Sequence, residues 1–117
     1  MAITISIPAS PGNIGVLRTM AMAVVSQSSA GVDAVSDAGL AIDEAAGLVF
    51  GVPGTSTITT TMTVERPIQI TLASNGEAVF WPPQDFFGSL SETVLESISG
   101  DVQFQETGSG PQIRLQV

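Results

Sequence analysis

Two neighbouring segments in the middle of the chain alternate apolar and hydroxyl-bearing side chains, and this alternation constrains the fold more than any other feature. In each segment every second residue shares one side: Ile58, Thr60, Met62 and Val64 in the first, and Ile68, Ile70 and Leu72 in the second. A period of two is typical of a β-strand with one buried face. The turn-forming residues 65–67 lie between the segments, which are therefore predicted to form an antiparallel hairpin.

Three other segments have apolar residues at steps of three and four, as amphipathic helices do. The predicted helices begin near Ser10, Asp33 and Ser89 or Ser91, and the second one ends near Phe50. Shorter strands are predicted around residues 3–7, 78–81, 102–104 and 113–117. This order favours an α+β fold, a two-layer sandwich in which helices cover one face of a mostly antiparallel sheet. The length predicts a single domain spanning residues 1–117.

Charged side chains are scarce and mostly acidic. The 117 residues include 11 Asp or Glu and 3 Arg, with no Lys, His or Cys, and the net charge is −8. Three arginines cannot neutralise enough phosphates for nucleic acid or an anionic membrane to be a partner. Without His or Cys there is no imidazole or thiolate metal ligand, so no metal site is predicted. With no signal peptide and no long apolar stretch, a cytoplasmic location is expected.

Aromatic residues are concentrated between residues 80 and 87, where four of the six in the chain occur. One interpretation is a loop that inserts these rings into the edge of the core. The other is a partner-binding surface, because Trp and Phe often form the centre of protein interfaces. The candidates for such a surface are Trp81, Phe86 and Phe87.

One helical segment resembles a known family. Residues 40–49 read L-A-I-D-E-A-A-G-L-V, and the second helix of the bacterial anti-sigma factor serine kinases reads like L-A-V-D-E-A-x-x-N-x-[VI]. Residues 7–10 with Leu17 and Arg18 resemble the family's first strand and first helix, and residues 100–102 resemble its end. The resemblance covers nearly the whole chain in order. It implies the histidine-kinase-like ATPase (GHKL) fold, in reduced form.

The resemblance also implies roles for individual residues. Glu44 matches the glutamate that acts as general base, and Leu40 and Gly47 lie on the same side of the helix, which faces the nucleotide in the family. Gly47 and Leu48 stand where the family has an asparagine that binds Mg²⁺, and neither offers a side-chain oxygen ligand. The adenine-binding D-x-G-x-G motif is reduced to Gly76, and the glycine-rich lid is reduced to Gly88.

The sequence therefore predicts a regulatory protein that resembles an anti-sigma factor and has lost ATP binding. By the resemblance, it binds a sigma factor or an anti-anti-sigma protein and forms a homodimer. No cofactor is expected and catalysis is doubtful. One alternative is an active serine protein kinase that uses Mg-ATP with Glu44 as its base; another is a small-ligand or structural module that shares only the fold.

Overall fold

A five-stranded antiparallel sheet forms one layer of the protein. The computed structural model describes residues 1–28 and 31–117. The strands are β1 (Ala2–Pro8), β2 (Thr57–Thr63), β3 (Gln69–Ser74), β4 (Gln103–Thr107) and β5 (Gly110–Gln116). Their order across the sheet is β1-β2-β3-β5-β4, and every neighbouring pair is antiparallel.

The register of the central strands explains the alternating sequence. Thr60 of β2 lies opposite Leu72 of β3, and Met62 lies opposite Ile70, so these side chains share one face. All four are fully buried. The residues between them, such as Thr59, point to the opposite face, which is rich in Thr and Gln. The sheet therefore has one apolar and one polar face, as predicted from its period of two.

Three helices form the second layer, on the apolar face of the sheet. They are α1 (Ile14–Ser26), α2 (Val32–Phe50) and α3 (Leu90–Ile98), with short 3-10 turns at Pro11–Asn13 and Gln84–Phe86. Their apolar side chains join those of the sheet in a single core cluster. The α+β two-layer sandwich predicted from the sequence is confirmed.

Some predicted boundaries differ from the observed ones. Residues 78–81 form no strand, because this segment packs its tryptophan against β4 and β5 instead of pairing along the sheet. Asp33 lies inside the first turn of α2, and Gly31 occupies the N-cap position. Of the two N-caps predicted for α3, Ser89 and Ser91, the structure has Ser89. Its side chain accepts a hydrogen bond from the backbone N–H of Glu92.

Hydrogen bonds join two segments at one end of the sheet: the connection from α2 to β2, and the turn that follows β3. The backbone N–H of Glu77 donates to the Pro53 carbonyl at 3.1 Å. The Asn75 side chain accepts from the backbone N–H groups of Ser56 and Thr57, at 2.9 and 3.0 Å. Gly76 lies between these contacts, and a Cβ at this position would overlap the Pro53 carbonyl oxygen. The approach of the two loops therefore requires a glycine.

The packing around Gly76 predicts that Gly76→Ala lowers the free energy of unfolding by about 2 kcal/mol, since backbone must shift to admit the methyl group. Gly47→Ala is the matched control, because a Cβ there meets nothing within 4 Å. Alanine inside a helix is favoured over glycine by up to about 1 kcal/mol, so this variant gains stability. Urea unfolding measures both, and a Gly76→Ala variant as stable as the wild type would contradict the packing.

Candidate functional site

An apolar cleft of about 340 Å³ lies between the C-terminal end of α2 and the segment that follows β3. One wall consists of Gly47, Leu48, Gly51, Val52 and Pro53, and the other of Ala78, Val79, Phe80, Trp81, Pro83 and Gln84. We call this the α2 cleft. None of these lining residues is ionisable. Its volume falls within the range of small-ligand pockets, about 300–1,000 Å³.

Trp81 fixes the outer wall of the α2 cleft against the sheet. Its indole N–H donates to the backbone carbonyl of Gln112 in β5 at 2.8 Å. Its ring meets Phe104 of β4 edge to face, with ring centroids 5.5 Å apart. Phe104 in turn packs against Phe86, at 5.0 Å between centroids. Because both the polar and the apolar part of the indole are engaged, the wall is formed without any ligand.

Two glycines in α2 serve opposite purposes. A Cβ at Gly39 would lie 3.0 Å from the sulfur of Met22, so this glycine permits the close approach of α1 to α2. A Cβ at Gly47 would meet nothing within 4 Å, and Gly47 lines the α2 cleft. Helix packing therefore requires a glycine at position 39. At position 47 the absence of a side chain leaves the cleft open.

Glu44 lies one turn before Leu48 on α2, and its carboxylate is held by α3. The Ser91 hydroxyl donates to Glu44 Oε2 at 2.5 Å, and both residues are half-buried. This bond joins α2 to the first turn of α3. Leu40, one turn earlier, is 54% exposed. Glu44 was predicted to act as a general base, and its carboxylate already accepts a hydrogen bond from a hydroxyl of the same chain.

The glycines predicted to flank a nucleotide pocket do not lie together. Gly47 lines the α2 cleft, whereas Gly76 lines a neighbouring polar depression of about 380 Å³ between residues 75–78 and 106–111, and Ala78 lines both. Two exposed carboxylates, Glu77 and Glu106, lie in that depression, and its lining holds no basic side chain. Gly88 has φ +80° just before α3 and lines neither cavity.

The three aromatic candidates for partner binding have different surroundings. Phe86 is only 5% exposed and belongs to the core, and Trp81 is half-buried as described above. Phe87 is 64% exposed and touches Phe86 edge to face. Phe80, which belongs to the predicted aromatic cluster, is 56% exposed in the wall of the α2 cleft, and its neighbour Val79, which the sequence did not indicate, is 90% exposed there.

None of the three arginines lines the α2 cleft. Arg18 of α1 forms an ion pair with Asp43, with Nη1 2.9 Å from Oδ1. Arg66 lies in the connection between β2 and β3, and Arg114 lies in β5 on the polar face of the sheet. In residues 1–28 and 31–117, no three His, Cys, Asp or Glu side chains come close enough together to hold a metal ion. The helices described here include none with the length and apolar character needed to cross a membrane.

Comparisons with known proteins show the fold. No family model matches the chain, and no curated protein matches it in sequence. Its structure is similar to the crystal structure of the RsbU and RsbW domains of Rv1364c from Mycobacterium tuberculosis, with a TM-score of 0.73 and 11% sequence identity. The match covers 99% of this chain and 32% of that chain, so the protein spans about a third of its structural neighbour. At this identity the likeness establishes a shared fold.

The Glu44–Ser91 bond predicts that Ser91→Ala destabilises the protein by about 1.5–3 kcal/mol, the range for a hydrogen bond to a charged group. Ser97→Ala on the same helix is the control, because Ser97 is exposed and bonds only to the Val94 carbonyl. Urea unfolding of Ser91→Ala, Glu44→Ala and the double variant gives the coupling energy. A coupling near zero would show that the bond does not hold α3 to α2.

Proposed function

We propose that the protein is a regulator that resembles an anti-sigma factor and acts by binding another protein, either a sigma factor or an anti-anti-sigma protein. The fold it shares with the structure of the RsbU and RsbW domains supports this proposal. The observation that carries it is the chemistry of the α2 cleft, which includes Gly47, one of the residues that the resemblance places beside a nucleotide. That cleft has apolar walls and exposed aromatic surface, which suit a protein partner.

The residues at this position do not fit Mg-ATP. A triphosphate needs cations or clustered backbone N–H groups around its phosphates. The cleft lining offers no Lys or Arg, and Gly47 supplies no oxygen ligand for Mg²⁺. The carboxylate of Glu44 accepts the Ser91 hydroxyl. These contacts support regulation by binding, without phosphoryl transfer.

The partner test uses the purified chain and the sigma factors and anti-anti-sigma proteins of the source organism, measured by calorimetry. We expect one of them to bind, and Phe80→Ser in the wall of the α2 cleft to weaken that complex by about tenfold, as the loss of a large interface side chain does. Val32→Ser is the matched control, because Val32 is equally apolar and 82% exposed at the far end of α2. Failure of every such protein to bind the wild-type chain would contradict the proposal.

The rival function, an active serine kinase, makes a different thermal prediction. A ligand at 100 times its dissociation constant stabilises the folded state by about 2.7 kcal/mol. We expect the melting temperature in millimolar Mg-ATP to equal that in magnesium chloride alone. A reproducible rise with Mg-ATP, accompanied by transfer of labelled phosphate to a protein serine, would establish the kinase instead. If the chain binds neither a nucleotide nor a sigma factor or anti-anti-sigma protein, the third possibility remains, a small-ligand or structural module.

A further inference from the structure

The α2 cleft combines apolar walls with a wide opening to solvent. Val79 and Phe80 of its outer wall are 90% and 56% exposed, whereas Val52 of the inner wall is buried. Large apolar side chains with such exposure in one wall are typical of interaction surfaces. The outer wall is held in place by Trp81, so a bound group would meet a preformed surface.

The inner wall is shaped by missing side chains. Gly47 lies in the last turn of α2, and Gly51, four residues later, caps the end of the helix on the same side. Space beyond Gly47 is open, since a Cβ there would have no neighbour within 4 Å. A large side chain from another molecule can therefore reach the helix backbone at this point.

Charge around the α2 cleft has one sign. Glu77 and Asp85 are exposed and directly adjoin lining residues in the chain, Glu77 in the neighbouring polar depression. Glu44, whose carboxylate accepts the Ser91 hydroxyl, lies less than one turn from Gly47 on α2. All three are acidic, and the three arginines of the chain lie on α1, in the β2–β3 connection and on β5. An anionic occupant would be repelled, while a basic one would be attracted and oriented.

We propose that the α2 cleft binds a basic, apolar segment of a protein partner, which inserts one bulky apolar side chain between Gly47 and Phe80. The inference rests on the proposed function only in taking the partner to be a protein. The walls supply the apolar contact, and the surrounding carboxylates select Lys or Arg beside the inserted side chain. The cleft volume of about 340 Å³ is enough for a single large anchor, as at the centre of many interfaces.

Trp81 provides a direct readout, because it is the only tryptophan in the chain and lines the cleft. The probe is a tryptophan-free amphipathic peptide of Leu and Lys, about 14 residues long so that it can form a helix. A second peptide replaces each Lys with Glu. We expect the Leu/Lys peptide to change Trp81 emission in a saturable manner and the Leu/Glu peptide to have no effect.

The decisive variant is Gly47→Leu, which fills the cleft without altering charge. It should keep its helix, since Leu is favoured over Gly inside a helix, and urea unfolding verifies this. We expect its affinity for the Leu/Lys peptide to fall by at least about tenfold, the loss typical of an interface anchor. Thr19→Leu is the matched control, because it adds the same side chain at an exposed position of α1.

Equal affinity of the wild type and Gly47→Leu would overturn the inference, since the peptide would then be held by net charge alone. Binding of the Leu/Glu peptide would overturn the charge preference. Neither result depends on a sigma factor or an anti-anti-sigma protein. If those proteins fail to bind while the peptide enters the cleft, the proposed function falls and the cleft inference stands. If they bind the wild type and Gly47→Leu equally, the cleft inference falls and the function stands.

Discussion

The close packing of α1 on α2 is the contact on which the rest of the structure depends. It is possible because the inward side of α2 is built from small residues: Ala38, Ala41 and Ala45 are fully buried, and Gly39 faces the Met22 side chain. With α1 so near, α2 also lies against β3 and β5. This position turns the side of α2 that bears Glu44 and Gly47 toward α3 and the segment after β3. Both the Glu44–Ser91 bond and the α2 cleft follow from it.

The layers of the fold could be predicted because local pattern and tertiary environment agree. The alternation through β2 and β3 needs one apolar face, and the sheet provides it, so Ile70 and Leu72 are buried as expected. The segment 78–81 was predicted as a strand and is not one. Its aromatic residues have high strand propensity, but Trp81 is satisfied by Gln112, 31 residues away. Contacts at such a distance in sequence leave no local signal.

The candidate site was predictable only in part, for the same reason. The resemblance drew attention to Glu44 and Gly47, and the structure puts both on the side of α2 that faces α3 and the cleft. It did not indicate Ser91, which is 47 residues from Glu44 and meets it through the packing of α3. The sequence also did not predict that Phe87 is exposed whereas Phe86, next to it, is buried. Adjacent residues of one type differ here only because the 3-10 turn at residues 84–86 points them in different directions.

The Glu44–Ser91 bond bears on how a partner could reach this side of the protein. The Ser91 hydroxyl engages only Oε2 of Glu44, so a substrate hydroxyl or a water would have to use Oε1 unless Ser91 were displaced. Displacement would forfeit a bond to a charged group, of about 1.5–3 kcal/mol, and would loosen the first turn of α3. An apolar anchor entering beside Gly47 needs no such opening, because the cleft begins past Glu44 on α2 and its outer wall is held by Trp81. The Glu44–Ser91 bond and the open cleft are therefore compatible with one another.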